Sequence, residues 1–252
     1  MLFLDTKLWL QYKSNSQKAR VMTEFWTWEN IFCPNCGEKL FRYDNNKPVA
    51  DFYCETCKED YELKSWKSLW NKITDWAYLT MITRLKSSNN PNFFFLNYTL
   101  DYKIKNFIVI PKHYFTEGII EKRKPLPNTA RRAGWIWCNI LLSPIPESWK
   151  IFYVKNWEKI KKEKILNNWS KTLFLRETET IEWRGRILDI MKCIESLHKN
   201  EFTLQEIYDF ESTLKQKYPN NNFIKDKIRQ QLQLLRDKWY LEFIGSWRYK
   251  LL

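Results

Sequence analysis

Apolar residues fall at helical spacing between Ser14 and Asn30, at Ala19, Met22 and Phe25 or Trp26, so this stretch predicts a first helix with Ser16 as a possible cap. Leu69, Ile73, Trp76, Ala77, Thr80 and Met81 repeat that period, which predicts a second helix over Trp66 to Leu85. After Asn89-Asn90-Pro91-Asn92 the pattern changes. Phe93 to Tyr98 and Phe107 to Ile110 are almost continuously apolar, as strands of an α/β sheet are when both faces are covered, and Ile151 to Val154 is a further strand. The Lys-rich stretch from Lys155 to Lys164 reads as a mobile insertion. From Ile181 the helical period returns. It runs over Glu182 to Leu197, then over a segment opened by Thr203 and Glu206 at capping-box spacing and extending to Leu214. A third run, Phe223 to Lys238, carries Ile224, Ile228, Leu232 and Leu235 on one stripe. Tyr240 to Ile244 and Trp247 to Leu251 flank Gly245-Ser246 and predict a hairpin. Three helices closed by a hairpin describe a winged helix, so two domains are expected, an α/β domain over 1–180 and a winged helix over 181–252.

Composition narrows the partners. The 252 residues carry 42 Lys and Arg against 29 Asp and Glu, a net charge of +13, which points to a polyanion such as nucleic acid. A generic basic surface gives the same number. No apolar run reaches the 18 residues that a membrane span needs, and Asp5 and Lys7 interrupt the only apolar start. Six cysteines, four of them at metal-ligand spacing, suit a reducing cytoplasm; Cys138 and Cys193 read as buried small apolar residues.

The chemistry concentrates between Cys33 and Lys64. Cys33-Pro34-Asn35-Cys36 and Cys54-Glu55-Thr56-Cys57 are two C-x-x-C pairs 17 residues apart, the ligand count and spacing of a structural zinc site. Interleaved with them run Pro48-Val49-Ala50-Asp51 and Asp60-Tyr61-Glu62-Leu63-Lys64. On a strand Glu62 and Lys64 share a face. One Asp and one Glu suffice for magnesium, which keeps several waters, and a nearby Lys can stabilise charge during phosphodiester cleavage. The acidic-x-Lys triplet also occurs at Asp5-Thr6-Lys7 and Asp101-Tyr102-Lys103, so by itself it equally describes a solvated strand end. Glu24 lies on the first helix and reads as a surface carboxylate, with an approach to the metal edge as the alternative.

Two further stretches suit DNA. Arg131 and Arg132 precede Gly134 and Trp135, a combination that fits a loop gripping a phosphate backbone and offering an aromatic ring to a base or methyl group; a solvated turn with a core Trp is the alternative. The face of the last helix opposite its apolar stripe carries Lys225, Arg229 and Gln230, where a recognition helix would read the major groove, although many winged helices bind only protein.

Taken in order, Tyr12 to Arg20, the CPNC at Cys33, PVADFYC from Pro48, Glu62-Leu63-Lys64, NNPNFFFL from Asn89, TARRAGWI from Thr129 and IRQQLQLLRDK from Ile228 closely resemble the DpnI-type methyl-directed restriction endonucleases over nearly the whole chain. The resemblance implies a PD-(D/E)XK nuclease core with a mixed sheet and a structural zinc, followed by a winged helix. It implies monomeric action on double-stranded DNA at GATC sites with N6-methyladenine. On that analogy Asp51, Glu62 and the backbone carbonyl of Leu63 hold catalytic magnesium and Lys64 assists the water. Cys33, Cys36, Cys54 and Cys57 hold zinc, Trp135 meets the methyl groups, and Lys225, Arg229 and Gln230 read the site from the winged helix. Two other readings stay open: a nuclease of the same fold with another site, and a non-cleaving reader. The chain departs from the family in holding 14 Trp and only 5 Gly. Bulk at Trp76 and Trp137 is expected to narrow the DNA cleft.

Overall fold

The run Asn92–Tyr98 is buried at every position, and it forms the centre of the larger of two compact units, Met1–Ser170 and Lys171–Leu252. The computed structural model describes residues 2–44, 50–67, 72–87, 90–142, 145–176 and 181–252, with the backbone alone at 75, 76, 181 and 182.

In the first unit the elements are α1 (Asn15–Asn30), β1 (Phe41–Arg42), β2 (Phe52–Tyr53), β3 (Asp60–Trp66), β4 (Lys72–Ala77), α2 (Tyr78–Lys86), β5 (Asn92–Tyr98), β6 (Ile104–Ile110), β7 (Ile120–Lys122), β8 (Trp137–Leu141), β9 (Ile151–Lys155), β10 (Glu158–Lys159) and α3 (Lys162–Ser170). A mixed sheet runs β1-β2-β3-β5-β6-β9-β10, and β4-β8-β7 form a smaller antiparallel sheet. Among the described residues only β3 and β5 are parallel, with Glu62 opposite Phe93 and Lys64 opposite Phe95. A parallel pair needs a long crossover, and β4 with α2 lies within it.

Side chains alternate across the sheet. Phe94 stacks on Tyr61 (4.6 Å between centroids) and meets Phe107, which contacts Trp26 of α1. Phe93 and Phe95 point the other way, toward Phe115. The two buried asparagines of β5 are satisfied. Asn92 donates to Glu59 (2.7 Å) and accepts from the Lys112 amide (2.9 Å), while Asn97 donates to the Trp66 carbonyl.

The structure corrects the expected helix over Trp66 to Leu85. Trp66 ends β3, residues 72–77 are β4, and only Tyr78–Lys86 is helical. Pairing of β4 with β8, a long-range contact, prevails over the local period. Of the expected strand at Pro48 to Asp51, Pro48 and Val49 lie outside the described residues, and Asp51 immediately precedes β2. The Lys155 to Lys164 stretch is no mobile insertion. It ends β9, turns into β10 and opens α3, whose Ile165 and Trp169 are buried.

The second unit contains α4 (Ile181–Ser196), β11 (Glu201–Thr203), α5 (Leu204–Tyr208), α6 (Glu211–Lys217), α7 (Ile224–Asp237), β12 (Leu241–Gly245) and β13 (Arg248–Leu251), with strand order β11-β13-β12. Thr203 and Glu206 form the capping box, the Glu206 carboxylate accepting from the Thr203 amide at 2.8 Å. The segment expected as one helix through Leu214 is two, split at Asp209–Phe210, so that Ile207 and Leu214 are both buried. Ile224, Ile228, Leu232 and Leu235 of α7 are buried along one stripe.

Candidate active site and zinc centre

Each C-x-x-C pair is wound into the same knuckle. The Gly37 amide donates to the Cys33 carbonyl and the Cys33 amide to the Glu38 carbonyl, both at 2.8 Å; Lys58, Cys54 and Glu59 repeat the pattern at 2.9 Å. Both turns need a left-handed residue, Gly37 at φ +80° and Lys58 at φ +58°. Glycine suits position 37, because a Cβ there would lie 2.8 Å from Cε of Lys162 and displace that side chain, whose Nζ donates to the Gly37 carbonyl at 2.7 Å. Trp169 Nε1 donates to Asn35 Oδ1 (3.0 Å), so α3 clasps the first knuckle.

The four sulfurs of Cys33, Cys36, Cys54 and Cys57 lie within 4.8 Å of one another, with Cys33–Cys57 and Cys36–Cys54 at 3.4 Å. Zinc–sulfur bonds of about 2.3 Å in a tetrahedron set sulfurs about 3.8 Å apart, so the cluster fits zinc. Burial pushes the Cys33 thiol up strongly and the Cys36 thiol up to about 11. At Cys54 burial acts in the same direction, but hydrogen bonds from the Cys57 and Thr56 amides and from neighbouring thiols outweigh it, and its pKa is lowered. Cys33 Sγ also lies 3.1 Å from the Tyr61 hydroxyl, which ties the centre to β3.

Two residues past Tyr61, the acidic edge forms. The Asp51 amide donates to the Tyr61 carbonyl (3.0 Å), continuing the β2–β3 ladder by one rung. At the next rung the Asp51 carboxylate replaces backbone: Oδ2 accepts from the Leu63 amide at 2.6 Å. A strand residue directs its amide and carbonyl toward the same neighbour, so the Leu63 carbonyl faces this edge too. Burial raises the Asp51 pKa, opposed by that amide and reinforced by the charge of Glu62. Glu62 is buried and bracketed by two cations, with Lys64 Nζ 2.6 Å from Oε1 and Arg84 Nη1 2.9 Å from Oε2. Two carboxylates and a carbonyl are an all-oxygen donor set that suits magnesium.

Arg84 was not expected here, and Glu24 only as the alternative to a surface carboxylate. Arg84 reaches the edge from α2, a helix that in sequence began twelve residues too early. Glu24, expected on the surface, is buried, with Arg20 at 3.7 Å and Arg42 at 3.6 Å. Burial raises its pKa, Arg20 lowers it, and the charge of Asp51 raises it further, so Glu24 belongs to the same electrostatic cluster. Arg20, four residues earlier on the helix, was the available signal.

Above the edge lies a cleft of about 380 Å³, the size of a small-ligand site, lined by Lys64, Thr74, Ala77, Thr80, Arg132, Trp135 and Trp137. Thr80 and Arg84 are one helical turn apart on α2, so one face of that helix serves the cleft and Glu62. The loop carrying Arg131 and Arg132 is tied across its base, Leu126 donating to the Trp135 carbonyl and Gly134 to the Leu126 carbonyl. Gly134 has φ +77°, a conformation open to glycine. Trp135 is 38 % exposed and outside the core, with the Arg132 guanidinium 5.4 Å from its ring centroid and Trp137 edge-on at 6.4 Å. Arg131 is exposed but does not line the cleft. Trp137 does line it, as expected from its bulk; the Trp76 side chain lies outside the described residues.

In the second unit Lys225, Arg229 and Gln230 are exposed on α7, opposite the buried stripe. Lys225 pairs with Glu211 (3.4 Å), Arg229 with Asp226, and Gln230 accepts from Lys227 (2.9 Å).

A mixed-sheet α/β unit with a four-cysteine centre that could hold zinc, followed by a unit of helices closed by a hairpin, defines the class of protein. The particular family follows from two matches. Residues 1–178 match the family model of DpnI, the Dam-replacing family, and residues 182–251 match that of its C-terminal Dam-replacing helix-turn-helix domain; the chain belongs to this family. Membership places it among methyl-directed restriction endonucleases with a helix-turn-helix domain.

Proposed function

We propose that the chain hydrolyses double-stranded DNA at GATC sites carrying N6-methyladenine, with magnesium as catalytic cofactor, on a PD-(D/E)XK core. The observation that carries this reading is one cleft in which Lys64, ion-paired to Glu62, meets Arg132 and Trp135. In the proposal Asp51, Glu62 and the Leu63 carbonyl hold the cation, which supplies Lewis-acid polarisation of a phosphoryl oxygen and an acidified water. Lys64 stands beside them to orient that water and stabilise the charge that develops as its oxygen bonds to phosphorus. One phosphorus–oxygen ester bond breaks, and the leaving oxygen takes up a proton. Arg132 contacts the backbone, and the exposed face of Trp135 desolvates the adenine methyl groups in the major groove. Contacts of this kind discriminate by about 1 to 3 kcal/mol. The exposed polar residues of α7 read the site a second time, with Arg131 adding charge at the cleft unit. Two readers on one chain raise the effective concentration of the second.

Asp51→Ala tests the assignment. The variant is expected to bind methylated duplex as the parent does and to leave it uncut; undiminished cutting would remove Asp51 from the chemistry.

A further inference from the structure

Where β3 runs out, lysines face aromatic rings instead of carboxylates. Lys67 Nζ lies 4.9 Å from the Tyr102 ring centroid, Lys103 lies 5.9 Å from Trp157 and 6.0 Å from Phe3, and Lys105 lies 5.1 Å from Trp157. Lys18 extends the row, 5.3 Å from Trp9, whose ring meets Tyr102 edge-on at 5.0 Å. Elsewhere some lysines are neutralised, as in Lys72–Glu121 and Lys86–Glu117, and others lie singly over a ring, as Lys39 does over Trp28. Among the described residues none of these four is paired with a carboxylate. Asp101, in the β5–β6 turn, is hydrogen-bonded by Thr99 and also feels the charge of Lys103, without forming an ion pair. The row therefore presents positive charge in excess, interleaved with ring faces, the surface that nucleic acid recognises through phosphates and stacking.

Trp157 shows that the arrangement is more than a solvated face. It occupies the β9–β10 hairpin turn with Asn156, and both have positive φ, +49° at Asn156 and +67° at Trp157. Such turns favour Asn-Gly, and a bulky residue in Gly's place is strained. The Trp157 amide is held by the Lys105 carbonyl and the Asn156 amide by Asn106 Oδ1, both at 2.9 Å. The ring is 42 % exposed and fills no core. A strained, exposed Trp between two lysines is placed for contact with something outside the molecule.

The row crosses the sheet from β3 to β10. Four strand spacings of about 4.8 Å give about 19 Å. Duplex rises about 3.4 Å per base pair, so this matches roughly five or six base pairs. None of these residues lines the cleft that holds Lys64 and Trp135. We infer that the row is a further DNA-contacting surface of the first unit, gripping the phosphate backbone of DNA outside the cleaved site. The inference rests on the proposal that the partner is DNA.

The test uses the full chain and two methylated duplexes, one on the order of 12 base pairs and one of about 40, with binding measured across salt. Two variants are compared with the parent: Lys103→Gln combined with Lys105→Gln, and Trp157→Gly, which suits the turn and keeps the fold. The double variant should lower the salt slope on the long duplex by about 2, which shrinks the affinity change between about 50 and 200 mM salt roughly tenfold. Trp157→Gly should weaken long-duplex binding severalfold, and both variants should bind and cut the short duplex as the parent does. If DNA flanking the site is the ligand, parent affinity rises with duplex length; if a separate segment is, the parent joins two short duplexes in a gel shift and the variants do not. Long-duplex binding and slope identical to the parent's in both variants would overturn the inference. Should the parent cut neither duplex, the proposed function fails, while the salt slopes, which need only binding, still decide on the row.

Discussion

Glu62 sits between Lys64 on its own strand and Arg84 on α2, and this bracket governs how the edge responds to substitution. Both Glu62 and Arg84 are largely shielded from water, so their hydrogen bond is worth more than a surface pair, about 2 kcal/mol. Arg84→Met is therefore expected to lower stability by about that amount in denaturant melts without divalent cations. Magnesium bound at the edge would neutralise Glu62 in place of the guanidinium, so the gap between parent and variant should narrow when it is added. Equal stabilities in its absence would show that the bracket contributes nothing. The same residues mark how far sequence carries. Glu62 and Lys64 were legible because strand geometry fixes residues two apart on one face. Arg84 was not, and Glu24 only as an alternative, because each reaches the edge through packing that no local pattern encodes.

At the scale of elements, locally determined features were readable. The α7 stripe, the Thr203–Glu206 capping box and the closing hairpin depend on neighbours within a few residues, and they appear where spacing placed them. Elements decided by distant partners were not. The residues of β4 repeat at helical period yet pair with β8, and the lysines around β10 obscured Ile165 and Trp169, which anchor α3 against the zinc knuckle. That anchoring has a measurable consequence. The two knuckles join α1 to β3 and the first is clasped by α3, so the first unit should lose its fold when the cysteine cluster loses zinc. Elemental analysis is expected to find one zinc per chain, and a strong chelator to lower the melting temperature of the first unit steeply. A melting curve unmoved by chelation would exclude a structural role for the cluster.

For the whole molecule, the net charge of +13 resolves into distinct surfaces: the Arg132–Trp135 loop at the cleft, the polar face of α7, and the lysine–aromatic row at the sheet end. Among the described residues no helix is long and apolar enough to cross a membrane. Membership of the Dam-replacing family suggests the reaction class, and the meeting of Lys64 with an exposed Trp in one cleft supports the proposed methyl reading. The central claim is tested by digesting one plasmid prepared in two forms, adenine-methylated at GATC and unmethylated, each with and without magnesium. Discrete fragments from the methylated form with magnesium, and from no other sample, are the expected result. Equal cutting of both forms would contradict methyl direction, and cutting of neither would contradict the nuclease itself.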